Sequence, residues 1–202
     1  MGPLLIVFFR KPELGKVKTR LAATVGAGKA LEVYDSLLSH TLGVTGSLRC
    51  IKQAWYTGED TVDDIVAPYG FTTHMQRGVD LGERMLNAFA NGFRAGHSPV
   101  VIIGTDCPGI STEIISEAFD SLTTNDAVIG PARDGGYYLF GLNAQLDQVF
   151  QTKTWSTACV ARETLDDLEH HNKRVHLLQE LIDVDTEKDL IDTNWDCRTD
   201  IK

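Results

Sequence analysis

Leu4-Leu5-Ile6-Val7-Phe8-Phe9 is an unbroken apolar run, and Arg10-Lys11-Pro12-Glu13-Leu14-Gly15-Lys16-Val17-Lys18-Thr19-Arg20-Leu21 follows it directly. Strict alternation would mark a strand with one wet face. A short continuous run predicts a strand buried on both faces, as in a parallel sheet covered by helices. The run is far shorter than the roughly 20 residues of a membrane-spanning helix. It also lacks the basic start and small-residue cleavage site of a secretory signal.

The pattern repeats outward from this strand. Leu31, Tyr34, Leu37/Leu38 and Leu42 lie three and four apart and predict helix up to about Gly46, broken near Gly26 and Gly28. Residues 51–57 and 71–76 read as strands, with a short helix over 61–67 that Pro68 stops. Leu81, Met85, Ala88/Phe89 and Phe93 mark a helix, residues 99–103 a second wholly apolar strand, and Ile114/Ile115, Ala118/Phe119 and Leu122 another helix. Residues 127–129 and 137–142 read as strands, about 157–170 as helix, 175–178 as strand, and the segment from Thr186 as helix. Strands alternating with helices imply βαβ units. The expected fold is therefore α/β: a single-domain, Rossmann-like α/β/α sandwich with a mostly parallel, mixed sheet. No linker or 20–50-residue repeat interrupts the 202 residues, which read as one domain over 1–202.

Composition agrees. With 43% hydrophobic and 23% charged residues, the chain resembles an ordinary soluble domain. At this length roughly 70% of the unfolded surface can be buried, so no disulfide or zinc staple is required. Nineteen basic against 28 acidic residues give a net charge of −9. That disfavours a general nucleic-acid binder, which needs many phosphate contacts, but leaves room for a small phosphorylated ligand. Cys50, Cys107, Cys159 and Cys197 form no C-x-x-C pair, and no H-E-x-x-H occurs. Free thiols suit a reducing cytoplasm.

In open α/β sheets ligands lie beyond the carboxyl ends of the strands, so the loops after Phe9, Ile103 and Ile129 are expected to carry the site. In the first, Arg10, Lys11, Lys16, Lys18 and Arg20 concentrate positive charge, Gly15 lets backbone amides approach an anion, and a helix N-terminus near Thr19 adds a positive dipole end. The alternative is a solvated basic loop. Walker A is absent, since Val17 stands where its second glycine would be. In the second loop, Gly104-Thr105-Asp106-Cys107-Pro108, Asp106 could hold Mg²⁺ or Mn²⁺ or merely cap a turn. Of Asp183 and Asp185, in Leu181-Ile182-Asp183-Val184-Asp185-Thr186, only one is expected to enter the site; Asp185 or Thr186 could equally open the last helix. Asp134-Gly135-Gly136-Tyr137 reads either as a hairpin turn or as a place where substrate meets backbone, with Asp134 and Tyr137 at hand. Gln76 could read a base edge, beside Asp80 as a helix cap, and Trp155-Ser156-Thr157 could cap the late helix or offer stacking. Cys107 has no partner base nearby in sequence and reads as structural.

Taken together, V-K-T-R-L, D-L-G-x-R-M, T-D-x-P, D-G-G-Y and the final D-x-D-T-x-x-D-L resemble the glycosyltransferase-A-like superfamily of nucleotide-diphospho-sugar transferases. Within it the chain is most similar to a bacterial glycosyltransferase-like family, some of whose members are associated with arsenosugar biosynthesis. The resemblance spans about residues 4–192. It implies a nucleotide or nucleotide-sugar donor, a small-molecule acceptor and Mg²⁺ or Mn²⁺. It places the donor phosphates on Gly15, Lys16, Lys18, Thr19 and Arg20, the base on Gln76, and the metal on Asp106 and Asp185. Gly135, Gly136 and Tyr137 are read on the acceptor side, and in glycosyl transfer Asp134 is the candidate for the acceptor's base. T-D-C offers one carboxylate where glycosyltransferases carry D-x-D, and K-T-R-L is similar to the K-S-R-L of guanylyltransferases. Glycosyl and nucleotidyl transfer both stay open, as does a non-catalytic nucleotide-binding module. Without metal, Asp106 and Asp185 are expected to repel, so an Asn at either position should leave the free protein at least as stable.

Overall fold

The computed structural model describes residues 2–151 and 153–196. Its strands are β1 (Leu4–Arg10), β2 (Ile51–Thr57), β3 (Thr72–Met75), β4 (Val100–Ile103), β5 (Ala127–Pro131), β6 (Tyr137–Leu142) and β7 (Val175–Leu177). Its α-helices are α1 (Thr19–Val25), α2 (Ala27–Thr45), α3 (Asp63–Val66), α4 (Leu81–Arg94), α5 (Thr112–Ser121), α6 (Val160–His170) and α7 (Glu187–Thr193). The strands form one sheet in the order β3-β2-β1-β4-β6-β5-β7. Strand β6 pairs antiparallel with β4 and β5, and the remaining pairings are parallel.

The apolar run of β1 divides between the two faces by strand periodicity. Leu5, Val7 and Phe9 join Leu38, Leu42, Val66 and Ile115 on one side. Leu4, Ile6 and Phe8 join Met85, Phe89, Ile102 and Leu168 on the other. Helices α2, α3 and α5 thus cover one face, and α4 and α6 the other. This double cover is why β1 and β4 carry no polar alternation. A third, smaller cluster seals α1 and α2 against the C-terminal segment through Leu21, Val33, Leu37 and Val184.

Local boundaries follow side-chain and backbone chemistry. Gly26, at φ +85°, separates α1 from α2, while Gly28 lies within α2. Asp80 caps α4 by accepting from Glu83 N (2.8 Å), and Ser111 caps α5 by accepting from Ile114 N (3.3 Å). Thr186 and Asp189 form a reciprocal capping box on α7. Helix α6 starts at Val160 rather than near Thr157, because Ser156 takes a left-handed conformation (φ +64°) and residues 155–159 stay a loop. Trp155-Ser156-Thr157 therefore does not cap that helix. No helix among the described residues is long and apolar enough to cross a membrane.

Strand β1 lies between β2 and β4. The chain runs outward from it through β2 and β3, then returns to β4 on its other side. The carboxyl ends of β1 and β4 therefore flank the topological switch point, where such sheets open a crevice.

Candidate active site at the switch point

Two cavities meet in this crevice. The smaller, about 320 Å³, is walled by the ends of β1 and β4, the loop from Lys16 to Arg20, and Tyr34. The larger, about 750 Å³, extends towards the β5–β6 turn and the loop at Trp155. Phe8, Arg20, Gly104, Asp106 and Asp185 line both.

Lys18 stands at the seam. Its Nζ lies 2.6 Å from Asp106 Oδ1 and 3.0 Å from Asp185 Oδ1. That Asp106 oxygen, buried, has no hydrogen-bond partner beyond this ion pair. Arg20 Nη1 approaches the other Asp185 oxygen at 3.7 Å. The Lys18 side chain is only 3% exposed, whereas those of Asp106 and Asp185 are 43% and 40% exposed. Burial alone would lower the Lys18 pKa; the charges of Asp106 and Asp185 outweigh it and hold the ammonium above its ordinary value. Lys18 also adopts a left-handed backbone (φ 46°, ψ 45°) immediately before α1. Such strain in a lysine is sparsely populated and persists where surrounding structure enforces it.

Backbone pairing explains how distant positions converge. Val184 N donates to Asp106 O (2.9 Å), and Ala132 and Leu181 form a parallel bridge. Val184 is fully buried in the small cluster, which turns its two neighbours towards the cavity. Both Asp183 and Asp185 line the larger cavity. The expectation that only one would enter is corrected: residues two apart on an extended chain share a face. Thr186 does the capping, which leaves the Asp185 carboxylate to Lys18 and Arg20.

Lys18 also reverses the expected repulsion. Asp106 and Asp185 already share a cation, so an Asn at either position strips a counterion from a buried ammonium. Asp106→Asn and Asp185→Asn should lower the stability of the free protein rather than preserve it.

The other expected phosphate-loop residues separate. Lys16, Thr19 and Arg20 line the smaller cavity with Lys18. Lys16 Nζ also pairs with Glu13 (2.5 Å). Gly15, at φ +76°, shapes the loop without lining that cavity. Gln76 lies at the end of β3, and its Nε2 donates to Trp55 O (2.8 Å) and Phe9 O (3.2 Å). It stitches strand ends together and is not part of the wall of either cavity.

Sequence reasoning missed Tyr34 as a site residue, because its helical spacing assigned it to the core. Its hydroxyl donates to Arg10 O (2.7 Å) and accepts from Arg10 N (2.9 Å), clamping the end of β1 beside the cavity. Burial pushes its pKa up. A hydroxyl within an otherwise aliphatic stripe was the available signal.

Asp134-Gly135-Gly136 is both a hairpin turn and a cavity wall. Asp134 Oδ1 accepts from Gly136 N (2.8 Å), and Asp134, Gly136 and Tyr137 line the larger cavity. Gly135 serves chain packing: at φ +90°, a Cβ there would lie 2.0 Å from Ala158 O. Gly135→Ala is therefore expected to lower stability by about 2 kcal/mol or more, read as a drop in melting temperature.

Cys107 is buried and its thiol donates to Asp183 Oδ1. Burial, and secondarily the Asp183 charge, push the thiol pKa far up, which is the opposite of an activated nucleophile. Burial likewise raises Asp183 to about 7, with Asp106 and Asp134 reinforcing the shift against the thiol's hydrogen bond.

The fold and this crevice define a nucleotide-diphospho-sugar-transferase-like α/β protein. A family profile described as "Uncharacterized protein conserved in bacteria (DUF2064)" matches residues 43–157, and the chain belongs to that family. It is 34% identical to a protein of Desulfovibrio desulfuricans G20, provisionally described as a nucleotide-diphospho-sugar transferase; the match covers 93% of this chain and 84% of that one at a TM-score of 0.87. A 4-diphosphocytidyl-2C-methyl-D-erythritol synthase from Anaerococcus prevotii shares the fold at 13% identity, with 95% and 94% of the chains covered and a TM-score of 0.61. CMP:2-keto-3-deoxy-manno-octonic acid synthetase, solved with CTP, does so at 12% identity, with 96% and 97% covered and a TM-score of 0.57. No curated protein sequence matches the chain.

Proposed function

We propose that the protein is a transferase acting on a nucleotide or nucleotide-sugar donor, whose phosphates occupy the smaller cavity. The observation that carries this is Lys18: a buried ammonium delivered to the switch point, with Lys16 and Arg20 beside it, where an anion can be received. The chain's likeness to the Desulfovibrio protein supports the class.

The donor set also suits a divalent ion. The carboxylates of Asp106 and Asp185 both reach the one point that Lys18 Nζ occupies, so a cation position exists between them. No group of three or more His, Cys, Asp or Glu among the described residues could hold a metal by itself. Mg²⁺ commonly binds through one or two carboxylates and completes its shell with substrate phosphates and water. Asp106 and Asp185 would hold the ion with the donor, and it would supply charge neutralisation at the phosphates. Lys18, released from the carboxylates, turns its ammonium to a donor phosphate. Lys16 and Arg20 add charge, and Tyr34 keeps the end of β1 in place. The acceptor enters the larger cavity, where Asp134 stands to take its proton.

Incubation with labelled nucleoside triphosphates and with nucleotide-sugars, each with Mn²⁺, tests the proposal. Pyrophosphate release identifies nucleotidyl transfer, and nucleoside-diphosphate release identifies glycosyl transfer. Metal-dependent binding with no turnover of any donor would instead make the protein a nucleotide-binding module. Cys107→Ser should keep most of the activity, because serine still donates to Asp183 and no step uses the thiol. Complete loss of turnover with an unchanged melting temperature would refute that assignment.

A further inference from the structure

Four basic side chains line the smaller cavity, Arg10, Lys16, Lys18 and Arg20, against two acidic ones, Asp106 and Asp185. Lys18 holds both of those carboxylates, at 2.6 and 3.0 Å. Its ammonium therefore fills the position that a divalent ion would take between them. Two like charges cannot share that point.

The groups that meet there are held by their backbones. Val17 and Leu21, both buried, anchor the chain on either side of Lys18, and Lys18 O accepts from Ala22 N (2.8 Å) at the start of α1. Across the cavity, Val184 N bonds to Asp106 O, and Asp185 N donates to Asp189 Oδ2 (3.3 Å). What can yield the position is the flexible stem of the lysine side chain.

The ammonium has nowhere to go unaided. Lys18 does not line the larger cavity, and no third acid lines its own among the described residues. Displaced by an ion alone, it would stay buried among Arg10, Lys16 and Arg20 without a counterion, which is costly. The reverse exchange is costly too. Asp106 Oδ1 is buried and finds no hydrogen-bond donor besides that ammonium, so a lysine that leaves for a phosphate strips it bare. When ion and phosphates arrive together, the ion takes the carboxylates, the phosphates take the ammonium, and every charge is paired.

We infer that Lys18 is a built-in competitor for the divalent ion, so that the site refuses the ion alone and takes it together with nucleotide phosphates. The inference rests on the transferase proposal and adds how that same site is regulated. Such coupling is reciprocal: the phosphates raise the affinity for the ion as much as the ion raises theirs. The apparent affinity for the ion alone falls by the fraction of molecules whose carboxylates are free.

The test counts free Mn²⁺ by its electron paramagnetic resonance signal while the ion is titrated, without nucleotide, into wild type and Lys18→Met. The variant should bind Mn²⁺ alone about tenfold more tightly or better, although its binding of nucleoside triphosphates with Mn²⁺ falls. These opposite signs distinguish a competitor from a lysine that only receives phosphate, whose loss would leave Mn²⁺ alone unchanged. Lys16→Met removes a charge from the same cavity without freeing the carboxylates and should stay near wild type. Lys18→Met/Asp106→Asn should lose the gain. Lys18→Gln, which keeps polarity without charge, gives the same reading if Lys18→Met fails to fold.

Equal Mn²⁺ affinity in wild type and the Lys18 variants would overturn the inference. So would an equal gain in Lys16→Met, or a gain that survives in the double variant. If these arms fail while a nucleotide binds the wild type with Mn²⁺, only this inference falls. If no nucleotide binds, the transferase proposal falls and takes the coupling with it.

Discussion

Lys18→Met should weaken nucleotide binding by about a hundredfold while barely lowering the melting temperature of the free protein. A charge-assisted hydrogen bond to phosphate is worth roughly 1.5–3 kcal/mol, and Lys18 is placed to make more than one. The small stability effect follows from the asymmetry of the ion pair. Lys18 is 3% exposed, so its removal takes a buried charge away; Asp106 and Asp185, 43% and 40% exposed, can then hydrate through the parts that face solvent, although Asp106 Oδ1 is itself buried. The converse change is the harmful one. Asp106→Asn leaves a buried ammonium with one counterion and should cost about 1–3 kcal/mol. The double variant Lys18→Met/Asp106→Asn should recover part of that loss, because the two groups are coupled. Melting curves in chelator and calorimetric nucleotide titrations with Mn²⁺ check both halves. Normal binding by Lys18→Met, or equal destabilisation by Lys18→Met and Asp106→Asn, would contradict the arrangement.

Asp183→Asn should stabilise the protein above pH 7 and leave it nearly unchanged near pH 4. Burial raises Asp183 from 3.8 to about 7, so between those values the folded chain holds a proton that the unfolded chain has released. Wild-type stability from this group is therefore fully present below pH 4, declines as pH rises towards 7, and stays reduced above it. A shift of this size corresponds to about 4 kcal/mol at most. Asn does not titrate and still accepts from the Cys107 thiol, so the variant escapes the decline. Melting temperatures at pH 4 and pH 8, in chelator, measure it. A difference between variant and wild type that is the same at both pH values would show that Asp183 does not titrate in this range.

Much of the architecture was legible because single segments encode it. The continuous runs at β1 and β4 announced strands covered on both faces, and Thr-Asp after β4 pointed to the site. Lys18 stands immediately before α1, and Thr19, Arg20 and Leu21 open that helix, so the helix start expected near Thr19 is where the structure has it. What escaped depends on pairings that no local spacing reveals. Lys18 and Asp185 are 167 positions apart, and they meet because Val184 pairs with the loop of Asp106 and buries itself against α1 and α2. A basic loop read alone looks free to bind an anion; here its central lysine is already engaged by two carboxylates. Only one of Asp183 and Asp185 is expected from sequence to enter the site, yet residues two apart on an extended chain share a face and both line the larger cavity. Tyr34 and Gln76 exchanged expectations: the apparent core residue lines the cavity, and the apparent base reader ties strand ends together. Trp155 became a wall residue because a left-handed Ser156 delays α6. Cys197 lies outside the described residues.

The central claim is that the crevice between β1 and β4 receives the phosphates of a nucleotide on Lys18. Calorimetric titration of the wild-type protein and Lys18→Met with ATP, GTP, CTP, UTP and dTTP, with and without Mn²⁺, tests it most directly. At least one nucleotide should bind the wild type, more tightly with Mn²⁺, and its affinity should fall by about a hundredfold in Lys18→Met. Binding of no nucleotide, or equal binding by both proteins, would contradict it.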